Sequence, residues 1–349
     1  MRQFQRTEVE LDLIGESERT TQRLIAFVEQ HATVSRSVLR DLLFALTVSA
    51  PLREKAYLTF QFADICGVRR RTVEPFALAG ELLMVSALTA DDILDSSPIR
   101  GGQPSLAERR GSSWALIVSH SLLSLAHRAM SYGQTSVRPE AATELVDRFA
   151  ASVDGICQGQ LETVSHARSH LSVAYMDSLA LRRNGLLVGA CAATPAIVAE
   201  RKEFVRESET FGRLLGIALQ HRDDILDFIG DPNVTGKPRL QDLFNGQPNL
   251  VLCYAFDIAK RKQPLEFKLL RSIWCESRTK QPGTMKQKSA ERRVLGMAVT
   301  GLAIESASRH LRRCCWQARR ALSVLPPVRV RENLIRMTEV VENLELEKD

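Results

Sequence analysis

Apolar residues recur at intervals of three and four through almost every periodic segment of this 349-residue chain, and alternating strand patterns are scarce. That spacing predicts an all-α protein. Helices are expected over residues 18–31, 34–49, 54–66, 73–95, 112–132, 140–165, 174–200, 201–228 and 248–262, with a C-terminal set over 295–344. Pro195 is expected to kink or split the 174–200 stretch, because proline lacks the amide hydrogen a helix interior needs. Turn chemistry separates the segments in SSPIRGGQP, GDPNVTGKP, KRKQP and LPP. Residues 276–292 are polar, basic and without period, so a mobile surface loop is expected there, and residues 1–20 read as a loose N-terminal arm. No linker divides the chain into two compositions, so residues 1–349 are expected to form a single domain.

Hydrophobic residues make up 44% of the chain, enough for a substantial core. The formal net charge is +6. Acids and bases are interleaved, aromatics are only 6%, and there is no long basic stripe, which favours small anions over nucleic acid. The seven cysteines are scattered, without the paired spacing of a zinc site, and read as reduced thiols. The N-terminus lacks a signal-peptide core, and no uninterrupted apolar run reaches the ~18 residues of a membrane span. A cytoplasmic protein without a membrane span is the expectation.

One pentad occurs twice. DDILD fills residues 91–95 and again residues 223–227. On a helix, positions four apart share a face, so Asp91 stacks with Asp95 and Asp223 with Asp227, with Asp92 and Asp224 alongside. Three carboxylates within a turn repel one another by tenths of a kcal/mol per exposed pair, so a cation should offset them. A single pentad would pass for a solvated helix end; two copies beside Gly/Pro turns and basic residues point to a clamp. Oxygen donors without nearby thiolates suit Mg²⁺, which keeps waters and phosphate oxygens as its other ligands. Arg100, Lys237, Arg182 and Arg183 supply charge for phosphate oxygens that metals would leave uncovered.

The segment GRLLGIALQHRDDILDFIGDPNVTGKPRLQDLFNGQPNL resembles the second aspartate-rich motif of the trans-isoprenyl diphosphate synthases, or polyprenyl synthetases, with its Gly-Lys and Asp-Leu signature. GICQGQLE resembles that family's Gly-Gln helix, and RRNGLL its Lys-Thr-Gly stretch. The resemblance implies an isoprenoid synthase-type helical bundle around a deep central cavity, usually a homodimer. It implies three Mg²⁺ ions and an allylic prenyl diphosphate that ionises and is attacked by isopentenyl diphosphate. By that likeness Asp91 and Asp95 would be ligands to two metals, supported by Asp92. Asp223 would hold the third, aided by Asp224 and Asp227. Arg100, Arg183, Lys237 and Gln220 would face the allylic diphosphate.

Departures from the family pattern cluster on the acceptor side. Leu52, Met84 and Gly101 stand where the family has Lys, His and a second Arg, leaving Arg53 and Lys55 as possible substitutes for binding isopentenyl diphosphate. Three outcomes stay open. One is chain elongation, with Arg53, Lys55 and the run of arginines at 69–71 gripping the acceptor. Another is a synthase-derived terpene synthase, or a transferase with a different acceptor. The last is a regulatory subunit, against which two complete metal motifs argue. Below Asp91, the residues Ala87, Ser86, Met84 and Leu83 form the expected chain-length wall. The next aromatic, Phe76, lies 15 residues away, about 22 Å along a helix, so a C20 product is expected, with C15 from an earlier floor at Met84 and Leu83.

Overall fold

The computed structural model describes residues 8–49, 52–166, 171–232, 238–276, 285–326 and 329–344. The elements are α1 (Glu8–His31), α2 (Arg36–Ser49), α3 (Glu54–Cys66), α4 (Arg70–Leu94), α5 (Leu106–Arg110), α6 (Ser112–Gln134), α7 (Pro139–His166), α8 (Val173–Ala180), a π-turn (Leu181–Gly185), α9 (Leu186–Val198), α10 (Lys202–Ile229), α11 (Gln241–Asn245), α12 (Leu250–Lys262), α13 (Pro264–Glu276), α14 (Met285–Leu295), α15 (Ala298–Ala321) and α16 (Arg329–Glu342). Among the described residues, strand is confined to the hairpin β1 (Ile99–Arg100) and β2 (Gln103–Pro104), in which Arg100 pairs with Gln103. The all-α expectation holds.

Two cores flank α9. One gathers α1, α2, α4, α6 and α7 around Leu24, Leu46, Leu82 and Leu122. The other gathers α3, α10, α12, α15 and α16 around Phe62, Phe211, Leu252 and Leu311. Helix α9 is apolar on all sides because it serves both: Leu187 and Cys191 face the first core, Val188 and Ala192 the second. Its small residues admit close neighbours. A Cβ on Gly212 of α10 would meet the Val188 carbonyl oxygen at 2.6 Å, and one on Gly216 would meet the Gly185 Cα at 2.7 Å. These glycines let α10, which carries the second pentad, lie directly against the π-turn that carries Arg183.

Several expectations need correction. The 174–200 stretch is not split at Pro195, which sits inside α9; it is helical from Val173 to Val198, its hydrogen bonding widening to a π-turn over Leu181–Gly185. The carbonyl that Pro195 cannot serve belongs to Cys191, and the Thr59 hydroxyl from α3 donates to it at 3.2 Å. The arm expected over residues 1–20 is helical from Glu8, with Leu13, Glu16, Ser17 and Thr20 buried. Of the expected loop over 276–292, residues 285–292 belong to α14, while 277–284 lie outside the described residues. Helix α4 is long and apolar enough to cross a membrane, which the sequence reading did not assign; 72% of that window is buried inside the protein, as befits a core helix.

Candidate active site

The first pentad closes α4 and the second lies near the end of α10. The short helix α11 bridges them. The Gln241 amide donates to Asp227 Oδ1 at 2.8 Å, while the Gln241 side chain donates to Ser97, just past the first pentad, at 3.1 Å. Asn245 Nδ2 reaches the Asp95 carbonyl at 3.3 Å, and Gln247 Nε2 hydrogen-bonds to Asp95 Oδ1. Both pentads therefore border one site.

Arg183 lies between them. Its Nη2 donates to Asp91 Oδ1 at 3.0 Å, and the same oxygen accepts from Gln160 Nε2 at 2.8 Å. The Gly-Gln pair on α7 explains this geometry. A Cβ on Gly159 would stand 2.8 Å from Arg183 Cγ, so glycine there lets the arginine stem pass, and the next residue braces its partner. Burial disfavours the Arg183 charge, but Asp91, Asp95, Asp242 and Asp224 together hold its pKa above the ordinary value.

The other carboxylates divide into anchors and poised groups. Asp224 is buried; its Oδ2 accepts from the Leu250 amide at 2.8 Å and its Oδ1 from Gln220 Nε2 at 3.1 Å. Asp227 caps α11, and burial with the neighbouring Asp242 pushes its carboxyl well up. Burial and then Asp91 push Asp95 up to about 8, against the opposing pull of Arg183. Asp223 is exposed on α10. Crowded carboxyls, of which Asp95 and Asp227 are pushed up, are the chemistry a hard divalent cation would relieve.

Sequence reasoning missed Asp242 and Gln160, and gave Gln247 only as a replacement for a basic residue. Asp242 lies within electrostatic reach of Asp95, Asp227 and Arg183, and its carboxylate accepts from Asn249 at 2.7 Å. Gln160 and Gln247 hold Asp91 and Asp95. The Asp-Leu and Gly-Gln signatures contained Asp242 and Gln160, but neither carries a spacing that marks it as a site residue.

Several of the expected cations are paired with carboxylates of the chain itself. Arg100 is turned onto Asp92, with Nη2 at 2.5 Å and Nε at 3.1 Å from Oδ1, in a buried pair. Lys237 lies outside the described residues. Arg53 is 1% exposed; its Nε donates to Thr21 at 3.0 Å, its Nη2 to the Leu46 carbonyl, and its Nη1 faces Glu81 at 3.9 Å. Lys55 is likewise buried, with Nζ 3.5 Å from Glu54. Both cations thus surround the buried Glu81, which accepts from the Ala56 amide at 2.9 Å, rather than the aspartates. Arg69 to Arg71 stand at the opposite end of α4 from Asp91, and 20 residues of helix place them about 30 Å away. Arg70 is occupied by Asp64 and Glu16.

Gly101 has a structural reason. Its φ is +56°, and a Cβ there would stand 2.3 Å from the Val48 carbonyl oxygen of α2. No side chain fits that position of the hairpin.

Along α4, Ser86 is drawn off the expected wall: its hydroxyl donates to the Ser119 carbonyl of α6 at 2.9 Å, and Ser119 returns a bond to the Ser86 carbonyl at 3.0 Å. Met84 is buried in the first core and Ala87 packs against it. Leu83 lines an apolar cavity of about 240 Å³ between α4, α6 and α7, together with Met130, Phe149 and Val153. Phe76 is fully buried against Gly133 of α6, whose absent Cβ leaves room for the ring.

The family profile of polyprenyl synthetase matches residues 51–290. The chain belongs to the polyprenyl synthetase family. It is 29% identical over 197 residues to the geranylgeranyl diphosphate synthase of Methanosarcina mazei, covering 56% of this chain and 60% of that one. To the farnesyl diphosphate synthase of Bacillus subtilis it is 23% identical over 261 residues, 73% of this chain and 88% of that one. The aligned region thus spans about three fifths of the Methanosarcina relative. Solved structures that share the fold of this polyprenyl synthetase family member include two complexed with isoprenyl diphosphate. The Caulobacter crescentus polyprenyl synthase, complexed with calcium and isoprenyl diphosphate, has a TM-score of 0.82 at 20% identity over 97% of this chain and 99% of that one. The Corynebacterium glutamicum geranylgeranyl pyrophosphate synthase, complexed with isoprenyl diphosphate and magnesium, has 0.82 at 21% over 95% and 99%.

Proposed function

We propose that the chain is a Mg²⁺-dependent prenyltransferase that ionises an allylic prenyl diphosphate and condenses it with isopentenyl diphosphate, giving a C20 product. The observation that carries the reading is the single site bordered by both DDILD pentads, with Arg183 between Asp91 and Asp224. Oxygen donors fit Mg²⁺, and Asp91, Asp95 and Asp223 would hold three ions. Magnesium held there would neutralise charge on the departing diphosphate.

The chain's own residues do the rest. Asp224, anchored by the Leu250 amide, and Asp227, anchored by α11, fix the rim from which Asp223 projects. Arg183, held by Asp91 at the same site, would supply positive charge to diphosphate oxygens bound there. Arg100 holds the Asp92 carboxylate in place through its Nε and Nη2. The apolar cavity at Leu83, Met130 and Phe149 offers a dry wall for a prenyl tail. Exposed apolar side chains on α6 and α7, Leu116, Ile117 and Leu161, suit a homodimer interface.

A second reading rests on the acceptor side. Arg53 and Lys55 are committed to Glu81, and Gly101 cannot carry a side chain. Each missing charge-assisted bond removes roughly 1.5–3 kcal/mol, about ten- to a hundredfold in affinity. Weak capture of a second diphosphate favours quenching of the cation by an internal double bond or by an acceptor without a diphosphate. Incubation with Mg²⁺ and farnesyl diphosphate, with and without isopentenyl diphosphate, separates the two by product mass. A lengthened diphosphate that needs isopentenyl diphosphate supports condensation. A hydrocarbon or alcohol formed without it overturns condensation and supports the second reading. Asp91→Ala or Asp223→Ala should lower turnover at least ~10²–10³-fold; activity surviving both would sink the metal assignment.

A further inference from the structure

Behind the second pentad, four side chains outside the acidic site converge. Asp177 of α8, His221 of α10, and His310 and Cys314 of α15 present one ligand atom each, all within 4.8 Å of one another. Asp177 Oδ1 lies 2.8 Å from His221 Nε2 and 2.8 Å from His310 Nε2. The two imidazoles stand edge to face with centroids 5.3 Å apart. His310 and Cys314 are one turn apart on α15, which puts both on the same face. His221 is fully buried and Cys314 is 5% exposed, while the His310 and Asp177 side chains are 12% and 38% exposed.

From this geometry we infer that the chain holds a second cation site, for a borderline transition metal of the Zn²⁺ class, on Asp177, His221, His310 and Cys314. Two imidazole nitrogens, one carboxylate oxygen and one thiolate sulfur form a closed four-ligand set. Such donors select zinc, cobalt or copper and reject magnesium. In a tetrahedron with arms of about 2.0–2.3 Å the ligand atoms stand about 3.3–3.8 Å apart. The present separations, from 2.8 Å up to 4.8 Å, straddle that range, so side-chain rotations of under about 1 Å complete the set. The His221 Nδ1 lies 3.9 Å from Asp224 Oδ2, outside hydrogen-bond reach, and has no other partner among the described residues. The ring is thus held through Nε2, the atom the site uses.

The ion joins three helices that are distant in sequence. It fixes α10 two residues before Asp223, and so sets the attitude of the second pentad without supplying an oxygen to it. Metal binding here is independent of which reaction the acidic site performs.

The test is a Co²⁺ titration of the chelator-stripped, full-length protein in excess Mg²⁺, followed by absorption. The expected result is one equivalent bound per chain, with a thiolate-to-cobalt charge-transfer band, intense tetrahedral ligand-field absorption, and displacement of both by Zn²⁺. Cys314→Ser, nearly isosteric, should abolish the charge-transfer band, and His310→Ala should weaken binding at least tenfold, with circular dichroism confirming the fold. Weak absorption of the oxygen-only octahedral type, or a spectrum unchanged in Cys314→Ser, overturns the proposal. A failure of prenyl transfer would leave this readout untouched.

Discussion

Asp95 shows how one carboxyl reports on the whole acidic ring. Burial and Asp91 push it up to about 8, whereas in an unfolded chain it ionises near ~4. Between those values the folded chain holds a proton the unfolded chain has lost, so this group's stabilisation is complete at low pH and fades as pH rises toward 8. Asp227, also pushed up, acts in the same direction. The metal-free protein should therefore melt at a lower temperature at about pH 8.5 than at about pH 6, and Mg²⁺ should shrink the difference by binding the ionised form. A metal-free melting temperature that climbs over that interval would contradict this arrangement. The pentads themselves were legible in the sequence, because spacing alone stacks Asp91 on Asp95. What spacing could not give was the choice of partner: Arg100 turns to Asp92 and Arg183 to Asp91, a choice made by hairpin and π-turn geometry.

At the scale of elements, the approach of α10 to α9 positions the site. Gly212→Ala would press a methyl against the Val188 carbonyl at 2.6 Å and drive the two helices apart. Overpacking of this kind typically costs about 1–3 kcal/mol. Thermal denaturation should show that loss, and turnover should fall with it, because the π-turn that carries Arg183 leads into α9 while Asp224 sits on α10; an unchanged melt and full activity would mean that the contact is slack. Helix periods were readable for the long segments, and α3 runs from Glu54 to Cys66 as its pattern predicts. The stretch over 174–200 was read as breaking at its proline. It runs on through Pro195, since a threonine hydroxyl on another helix serves the carbonyl that the proline orphans, and its irregularity is the π-turn at RRNG. Such compensation is tertiary, and no local pattern encodes it. Helix α14 was missed for a related reason: MKQKSAERRVL is mostly polar, and its helical hold comes from Val294, buried against the second core.

For the whole molecule, the apolar side chains exposed on α6 and α7 bear on assembly. Ile117 is 52% exposed and Leu161 57%. If these faces pair in a homodimer, Ile117→Asp should shift the protein to monomer in sedimentation or light scattering; a wild-type monomer, or a variant that stays dimeric, would place any interface elsewhere. The hairpin that follows the first pentad has a longer reach. Gly101→Arg, the direct way to add an acceptor-side cation, should destabilise the protein by several kcal/mol, read as a large drop in melting temperature, because its first carbon collides with the Val48 carbonyl. A stable, more active Gly101→Arg protein would refute the contact. Redesign for a tighter grip on a second diphosphate must therefore begin by retracting the end of α2, so that substrate choice is governed by a helix that contributes no chemistry of its own.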